Sequence, residues 1–290
     1  MLKSLRALCL AASVLCVSVS SFAQVVDSAS FLANYGDKPS QVLSLKEAAG
    51  NLSGVTYNYD TGTYFVIQNN SYQFVEYDKT FTKALRIIKL LNLPHKDTED
   101  IAYLGNDQFA INMEINMIVI FTLKAGQTSV DVSPKLADVQ ALQLPDPNKE
   151  NNGVEGICYT KNGGVGAGVL WAVQEMRPKR VFAIERPLDM NDITSSRRLK
   201  FSEPINAEKV FKHVMSDLSG CSYSDQFDHL LVLSHESSRI MELTKTGSVV
   251  KTKDLPKDVG PQYEGIAIGA DEDLVLVSEP DKVIIYKKKN

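Results

Sequence analysis

From about residue 41 onward, the apolar positions fall in short runs divided by polar turns. Thr63-Tyr64-Phe65-Val66-Ile67, Phe74-Val75-Glu76-Tyr77 and Leu85-Arg86-Ile87-Ile88 are such runs, and Asn58-Tyr59-Asp60-Thr61-Gly62 is one of the dividers. Stretches rich in β-branched and aromatic residues between Gly, Asn and Asp clusters predict strands joined by hairpins. The same succession returns later: a turn at 225–228, then Leu230-Leu231-Val232-Leu233, Ile240-Met241-Glu242-Leu243 and Val249-Val250-Lys251. Helical periodicity is weak throughout this part of the chain. The pattern predicts an all-β protein.

Each series of strands opens with one marker. Leu52-Ser53-Gly54-Val55-Thr56-Tyr57, Thr98-Glu99-Asp100-Ile101-Ala102-Tyr103 and Val154-Glu155-Gly156-Ile157-Cys158-Tyr159 are the first three copies. Leu218-Ser219-Gly220-Cys221-Ser222-Tyr223 and Tyr263-Glu264-Gly265-Ile266-Ala267-Ile268 complete the set. Ser or Glu comes first, Gly or Asp second, and a short strand follows. The markers at 53, 99, 155, 219 and 264 are separated by 46, 56, 64 and 45 residues. These periods fit the four-stranded blades of a β-propeller, with insertions in the third copy.

The fifth copy ends at Val283-Ile284-Ile285-Tyr286, one strand short, while Gln41-Val42-Leu43-Ser44-Leu45 precedes the first copy as a spare strand. Pairing the two closes the ring and removes an exposed edge. The expectation is a five-bladed propeller of four-stranded antiparallel blades. Six blades is the alternative, with the extra one between Pro187 and Met215. That stretch has a single strand-like run, Arg198-Leu199-Lys200-Phe201, which the third blade needs as its fourth strand.

The first residues have a different character. Lys3 and Arg6 precede an apolar stretch from Ala7 to Val19 that ends in Ser21-Phe22-Ala23. This is the form of a secretory signal, too short for a spanning helix. The expected organisation is a signal peptide over 1–23 and one propeller domain over 24–290, exported to the periplasm or cell envelope. Neither Cys9 nor Cys16 stands in a lipobox, and whether the mature chain associates with the membrane stays open. Without Lys3 and Arg6 the 31 basic side chains become 29 against 35 acidic ones, a net charge of about −6. That balance argues against nucleic acid as a partner. Cys158 and Cys221 alone remain, too few for a disulfide framework, and their redox state is left open.

Ser-Gly-Val-Thr-Tyr at 53–57, Val-Glu-Gly-Ile at 154–157, Leu-Val-Leu-Ser-His-Glu-Ser at 231–237 and Val-Ser-Glu-Pro at 277–280 follow one another in a distinctive order. With them the chain resembles the SdiA-regulated domain family, the YjiK-like propellers of bacterial envelopes. The resemblance implies an exported or membrane-associated propeller, often linked with calcium responses. It brings no established reaction and no catalytic residues.

Propeller topology places the start of each innermost strand and the end of the next strand at the same face. The starts are Ser53, Glu99, Glu155, Ser219 and Glu264; the ends are Asn69 (or Asn70), Glu114, Glu175, Glu236 and Glu279. Seven glutamates are thus expected around one channel mouth, with Asp100 and Asp217 nearby. Were Glu99, Glu155 and Glu264 to meet within about 6 Å, each pair would repel by ~3 kcal/mol at an effective dielectric of 20. A cation, raised pKa values or splaying into water relieves such repulsion. Glu99, Glu155 and Glu264 are therefore candidate metal ligands, with Ser53, Asn69, Glu114, Glu175, Ser219, Glu236 and Glu279 as rim candidates. Ca2+, which takes 6–8 oxygen ligands, suits this set better than zinc. An architectural role, each carboxylate accepting backbone N–H groups of its neighbour, is the competing reading. A small cationic ligand is a third.

Other motifs carry less. His235-Glu236-Ser237-Ser238-Arg239 lacks the second histidine of a zinc protease. The glycine-rich 162–168 reads as a hairpin turn, since no helix follows to hold a phosphate. Arg177, Lys179 and Arg180 bring positive charge near Glu175 as salt bridges or solvated loop charge. Tyr57, Tyr103, Tyr159 and Tyr223 recur at one repeat position and read as inter-blade packing, and Trp171 reads as core. The functional expectation is a monomeric, non-enzymatic binding or sensing module for Ca2+ or another cation, with an envelope protein as possible partner. A metal-dependent hydrolase of the phytase or lactonase kind, acting on a phosphate ester or lactone, is the alternative. No catalytic residue is assigned, because near-symmetric glutamates favour binding over chemistry.

Overall fold

The computed structural model describes residues 29–145, 152–161, 168–185 and 200–289. The expected signal segment 1–23 and the turn at 162–167 lie outside them. Five sheets form a ring, each a meander running outward from the channel. Blade 1 holds β2 (Leu52–Asn58), β3 (Thr63–Gln68), β4 (Gln73–Tyr77) and β5 (Ala84–Leu91). Blade 2 holds β6 (Thr98–Gly105), β7 (Gln108–Met113), β8 (Met117–Thr122) and β10 (Gln140–Gln143). Between β8 and β10 the chain visits its neighbour: β9 (Ser129–Asp131) pairs in parallel with β5 and gives blade 1 a fifth strand. The repeat pattern gave no sign of it.

Blade 3 consists of β11 (Val154–Thr160), β12 (Val169–Gln174), β13 (Arg180–Glu185) and β14 (Lys200–Ser202). Lys200 and Phe201 of the run expected at 198–201 thus lie in the fourth strand of blade 3, Arg198 and Leu199 being outside the described residues, and the ring has five blades. A five-residue helix, α1 (Ala207–Phe211), fills the rest of that insertion, with the Asn206 side chain accepting from the Lys209 N–H at its start. Blade 4 comprises β15 (Gly220–Ser224), β16 (His229–Ser234), β17 (Arg239–Thr244) and β18 (Val249–Asp254). Blade 5 comprises β19 (Tyr263–Ile268), β20 (Leu274–Ser278) and β21 (Lys282–Tyr286), completed by β1 (Gln41–Ser44) from the other end of the chain. Val42 lies opposite Ile284 and Leu43 opposite Val283, the closure that the spare strand implied.

Why the strands read as continuous apolar runs is now clear. A blade is buried on both faces, so alternate residues feed two different cores. Phe65 and Ile67 enter the cluster shared with blade 2, whereas Tyr64 and Val66 of the same strand enter the cluster shared with blade 5. Among the described residues, five such clusters occupy the five blade junctions. The segment leading into β1 crosses the blade 4–5 junction, where Phe31, Leu32 and Tyr35 are buried. Buried Glu242 fastens it, accepting from the N–H groups of Phe31 (2.7 Å) and Leu32 (3.1 Å) while His229 Nδ1 lies 2.7 Å away.

The inner strands crowd the axis. A Cβ on Gly156 would lie 2.5 Å from the Cα of Gly220, and one on Gly265 would lie 2.8 Å from the Ser53 carbonyl. This is what the recurrent glycine after the marker accomplishes: neighbouring backbones approach closely. Blade 2 has Asp100 instead. Its carboxyl accepts from Ile101 N–H (2.8 Å) and, across the axis, from Ile157 N–H (3.0 Å), with Val55 N–H as a third donor. One side chain thereby ties three blades together in mid-channel. Cys158 and Cys221, on the inner strands of blades 3 and 4, form a disulfide with Cα atoms 5.6 Å apart. Tyr103 and Tyr223 are buried in blade junctions, and Tyr57 and Tyr159 pack against two more, as expected. Beyond that expectation, all four repeat tyrosines also line a cavity at one end of the channel, because the strand edge that carries them faces the axis.

Candidate functional site

The other end of the channel is acidic, and a local irregularity aims its carboxyls. In blades 1, 2, 3 and 5 the strand register slips at the marker, between Leu52 and Gly54, Thr98 and Ile101, Val154 and Gly156, and Tyr263 and Gly265. Ser53, Glu99, Glu155 and Glu264 are the extra residues, and a bulge re-aims such a residue out of the ladder. In blade 4, Ser219 N–H bonds the Leu233 carbonyl that also faces Gly220, and its hydroxyl donates to the Tyr263 carbonyl at 3.0 Å.

Glu99, Glu114 and Glu155 each place one carboxyl oxygen within 4.8 Å of the others. Glu99 and Glu114 are buried, while Glu155 keeps some exposure. Asn69 Nδ2 donates to both Glu99 oxygens at 3.2 Å, and Ser53 Oγ donates to Oε2 at 3.3 Å. Glu114 accepts from the Gly153 N–H at 2.8 Å, and a proton on the Glu155 carboxyl would give it a second donor. Burial pushes Glu99 and Glu155 well above the usual carboxyl range, and the neighbouring Glu114 charge adds to both. Burial raises Glu114 too, opposed by these two donors. The group holds protons where isolated carboxyls would not, as expected when like charges crowd a dry site.

Of the other residues anticipated by sequence, Glu264 lies beside Glu279 and His235 rather than in the three-carboxyl group. His235 Nδ1 is 3.5 Å from its Oε1. Burial, followed by the Glu279 charge, carries Glu264 up to about 7. Glu175 is likewise pushed up to about 7, by burial and then by Asp217, while Arg177 opposes. Glu279 rises through burial, with His235 opposing. Glu236 is exposed, and its N–H bonds Asp217 at 3.2 Å. Asp217 is a turn-holder, accepting also from Ser234 Oγ and the His235 N–H. Asn70 donates to Asn69 at 2.7 Å. Arg180 faces Glu203 at 3.8 Å, the salt-bridging role anticipated for the basic cluster.

Sequence reasoning did not foresee His235 as a partner of Glu264. It stands in the β16–β17 turn of blade 4, and only the ring brings that turn against blade 5. No zinc motif exists to flag it.

A closed ring of five sheets defines a five-bladed β-propeller. The chain belongs to the SdiA-regulated family, whose model matches residues 31–287. Solved structures share the fold at low identity. A luciferin-regenerating enzyme is 13% identical with a TM-score of 0.51, over 86% of this chain and 95% of that one. Regucalcin, a calcium-binding protein from Agrobacterium tumefaciens, is 12% identical with a TM-score of 0.50, over 88% and 96%. A gluconolactonase from Xanthomonas campestris is 11% identical with a TM-score of 0.50, over 89% and 93%. Identities this low speak for the fold alone. No helix among the described residues is long and apolar enough to cross a membrane.

Proposed function

We propose that this propeller is an exported binding or sensing module that takes a divalent cation, Ca2+ by preference, at its acidic channel mouth. The observation that carries the reading is the convergence of Glu99, Glu114 and Glu155 within 4.8 Å, with pKa values raised by mutual proximity and burial. A cation replaces the protons that now relieve that repulsion. Three carboxyls with waters supply the all-oxygen shell of a hard cation, and Ca2+ accepts such a mixed, irregular set more readily than Mg2+, which demands a near-ideal octahedron. The Cys158–Cys221 disulfide supports export, because such bonds persist in oxidising compartments such as the periplasm. Leu85, Ile87 and Leu91, exposed on β5, the fourth strand of blade 1, support contact with an envelope partner.

Metal analysis of the purified mature protein, followed by calorimetry with Ca2+ and Mg2+, tests the proposal. Calcium bound in about one equivalent supports it; absence of both bound metal and binding heat overturns it. The second reading, a metal-dependent hydrolase, rests on the His235–Glu264 pair, an unsymmetrical acid–base couple beside the mouth. Turnover of gluconolactone or an aryl phosphate that requires Ca2+ and His235 would favour it.

A further inference from the structure

At the end of the channel away from the glutamates lies a cavity of about 330 Å3, lined by all five inner strands. The fourth residue after each marker faces it: Tyr57, Tyr103, Tyr159, Tyr223 and, in blade 5, Ile268. Tyr59 joins them, its ring centroid 5.0 Å from that of Tyr103. None of Glu99, Glu114, Glu155, Glu175 and Glu264 lines it. The cavity is thus a distinct site of small-molecule size.

Two features select its occupant. The lining residues include Asp225, whose carboxylate accepts from Thr160 Oγ1, and Glu272, which also holds Lys288, against one lining cation, Lys161. Lys161 sits with its Nζ 3.1 Å from the centroid of the Tyr59 ring. An ammonium over a phenol face is held by the ring quadrupole, and rings around an acidic rim are the surroundings that recognise organic ammonium ions. Lys161 already shows where such a charge rests.

We propose that this tyrosine-lined cavity binds a small organic cation, a substituted ammonium whose charged head displaces Lys161 from the face of Tyr59. The proposal is independent of the metal reading. Its polarity follows from the lining: a neutral ring-shaped ligand would use the tyrosines but gain nothing from Asp225, whereas an ammonium uses both.

Choline is the probe and 3,3-dimethylbutan-1-ol its uncharged isostere. The chain has one tryptophan, Trp171, whose ring stacks on Tyr223 at 6.1 Å, so its fluorescence reports on the cavity wall, and calorimetry gives the affinity. Expected are choline binding at least tenfold tighter than the alcohol, a severalfold gain in Lys161→Ala, which removes the internal competitor, and loss in Tyr59→Ala. Tyr59 is partly exposed, so its variant should remain folded, and Tyr72→Ala, at a more exposed ring outside the cavity lining, should bind as wild type. Glu155→Gln and chelator should leave choline binding unchanged. Equal affinity for choline and the alcohol, a neutral sugar binding in preference, no choline binding in Lys161→Ala, or loss of binding in Glu155→Gln would each overturn the proposal.

Discussion

Glu155 of blade 3 and Glu114 of blade 2 bring carboxyl oxygens within 4.8 Å of each other across a blade junction, and burial raises the pKa of both. Around them Glu175 and Glu264 are raised to about 7. The folded protein therefore binds protons more tightly than the unfolded chain, whose glutamates titrate near pH 4.3. Stability from these groups is fully present below that value and is lost as pH rises through about 7. In chelator, the melting temperature should fall by roughly 5 °C or more between pH 5 and pH 8. A flat profile would show that the carboxyls splay into water.

Calcium should remove that slope. A ligand at a hundredfold excess over its Kd stabilises by ~2.7 kcal/mol, roughly 5–10 °C for a domain of this size. Glu99→Gln, Glu114→Gln and Glu155→Gln should each abolish the response while raising the melting temperature of the metal-free protein at pH 8. Glu185→Gln, at the exposed end of β13, should respond as wild type. Identical melting of wild type in calcium and in chelator would leave the glutamates an architectural role.

Deleting residues 24–46 removes β1 from blade 5 and withdraws Phe31, Leu32 and Tyr35 from the blade 4–5 core. Loss of several kcal/mol in urea denaturation is expected. Glu242→Ala should reproduce part of it, because the Phe31 and Leu32 N–H groups then lose their acceptor. An unchanged midpoint in the deletion variant would contradict the closure.

Reducing the Cys158–Cys221 bond, which joins residues 63 apart, should lower stability by up to about 4 kcal/mol on the chain-entropy account. Denaturation curves with and without reductant measure it. A Cys158→Ala/Cys221→Ala variant should match the reduced protein and ignore the reductant.

Asp100→Ala should cost roughly 2–4 kcal/mol, since three buried N–H groups lose a shared acceptor. Denaturation at pH 7 measures this, and a cost below about 1 kcal/mol would mean that water replaces the carboxyl.

The blades were legible because a repeat announces itself five times, and the closure followed from a strand missing at one end and spare at the other. The gathering of Glu99, Glu155 and their rim neighbours on one face followed from topology. Which carboxyls meet did not. That depends on the bulge at each marker and on the step between adjacent blades, which brings Glu114 to Glu155 and leaves Glu264 with His235. The parallel strand Ser129–Asp131 was hidden because three residues carry no periodicity. The packing of the repeat tyrosines was legible, but not that the same residues line a cavity, since a strand pattern does not show which edge also faces the axis.

The pairing of β1 with β21 also imposes an order on synthesis. β1 has its partner at the far end of the ring-forming segment, so a chain arrested short of residue 282 leaves β1 with no strand to join. The open ring then presents one unsatisfied sheet edge and one uncovered blade face, the surfaces by which chaperones and proteases know an unfinished protein. Completion of β21 is thus the latch of the ring, and no chain can lock before residue 286 has been made.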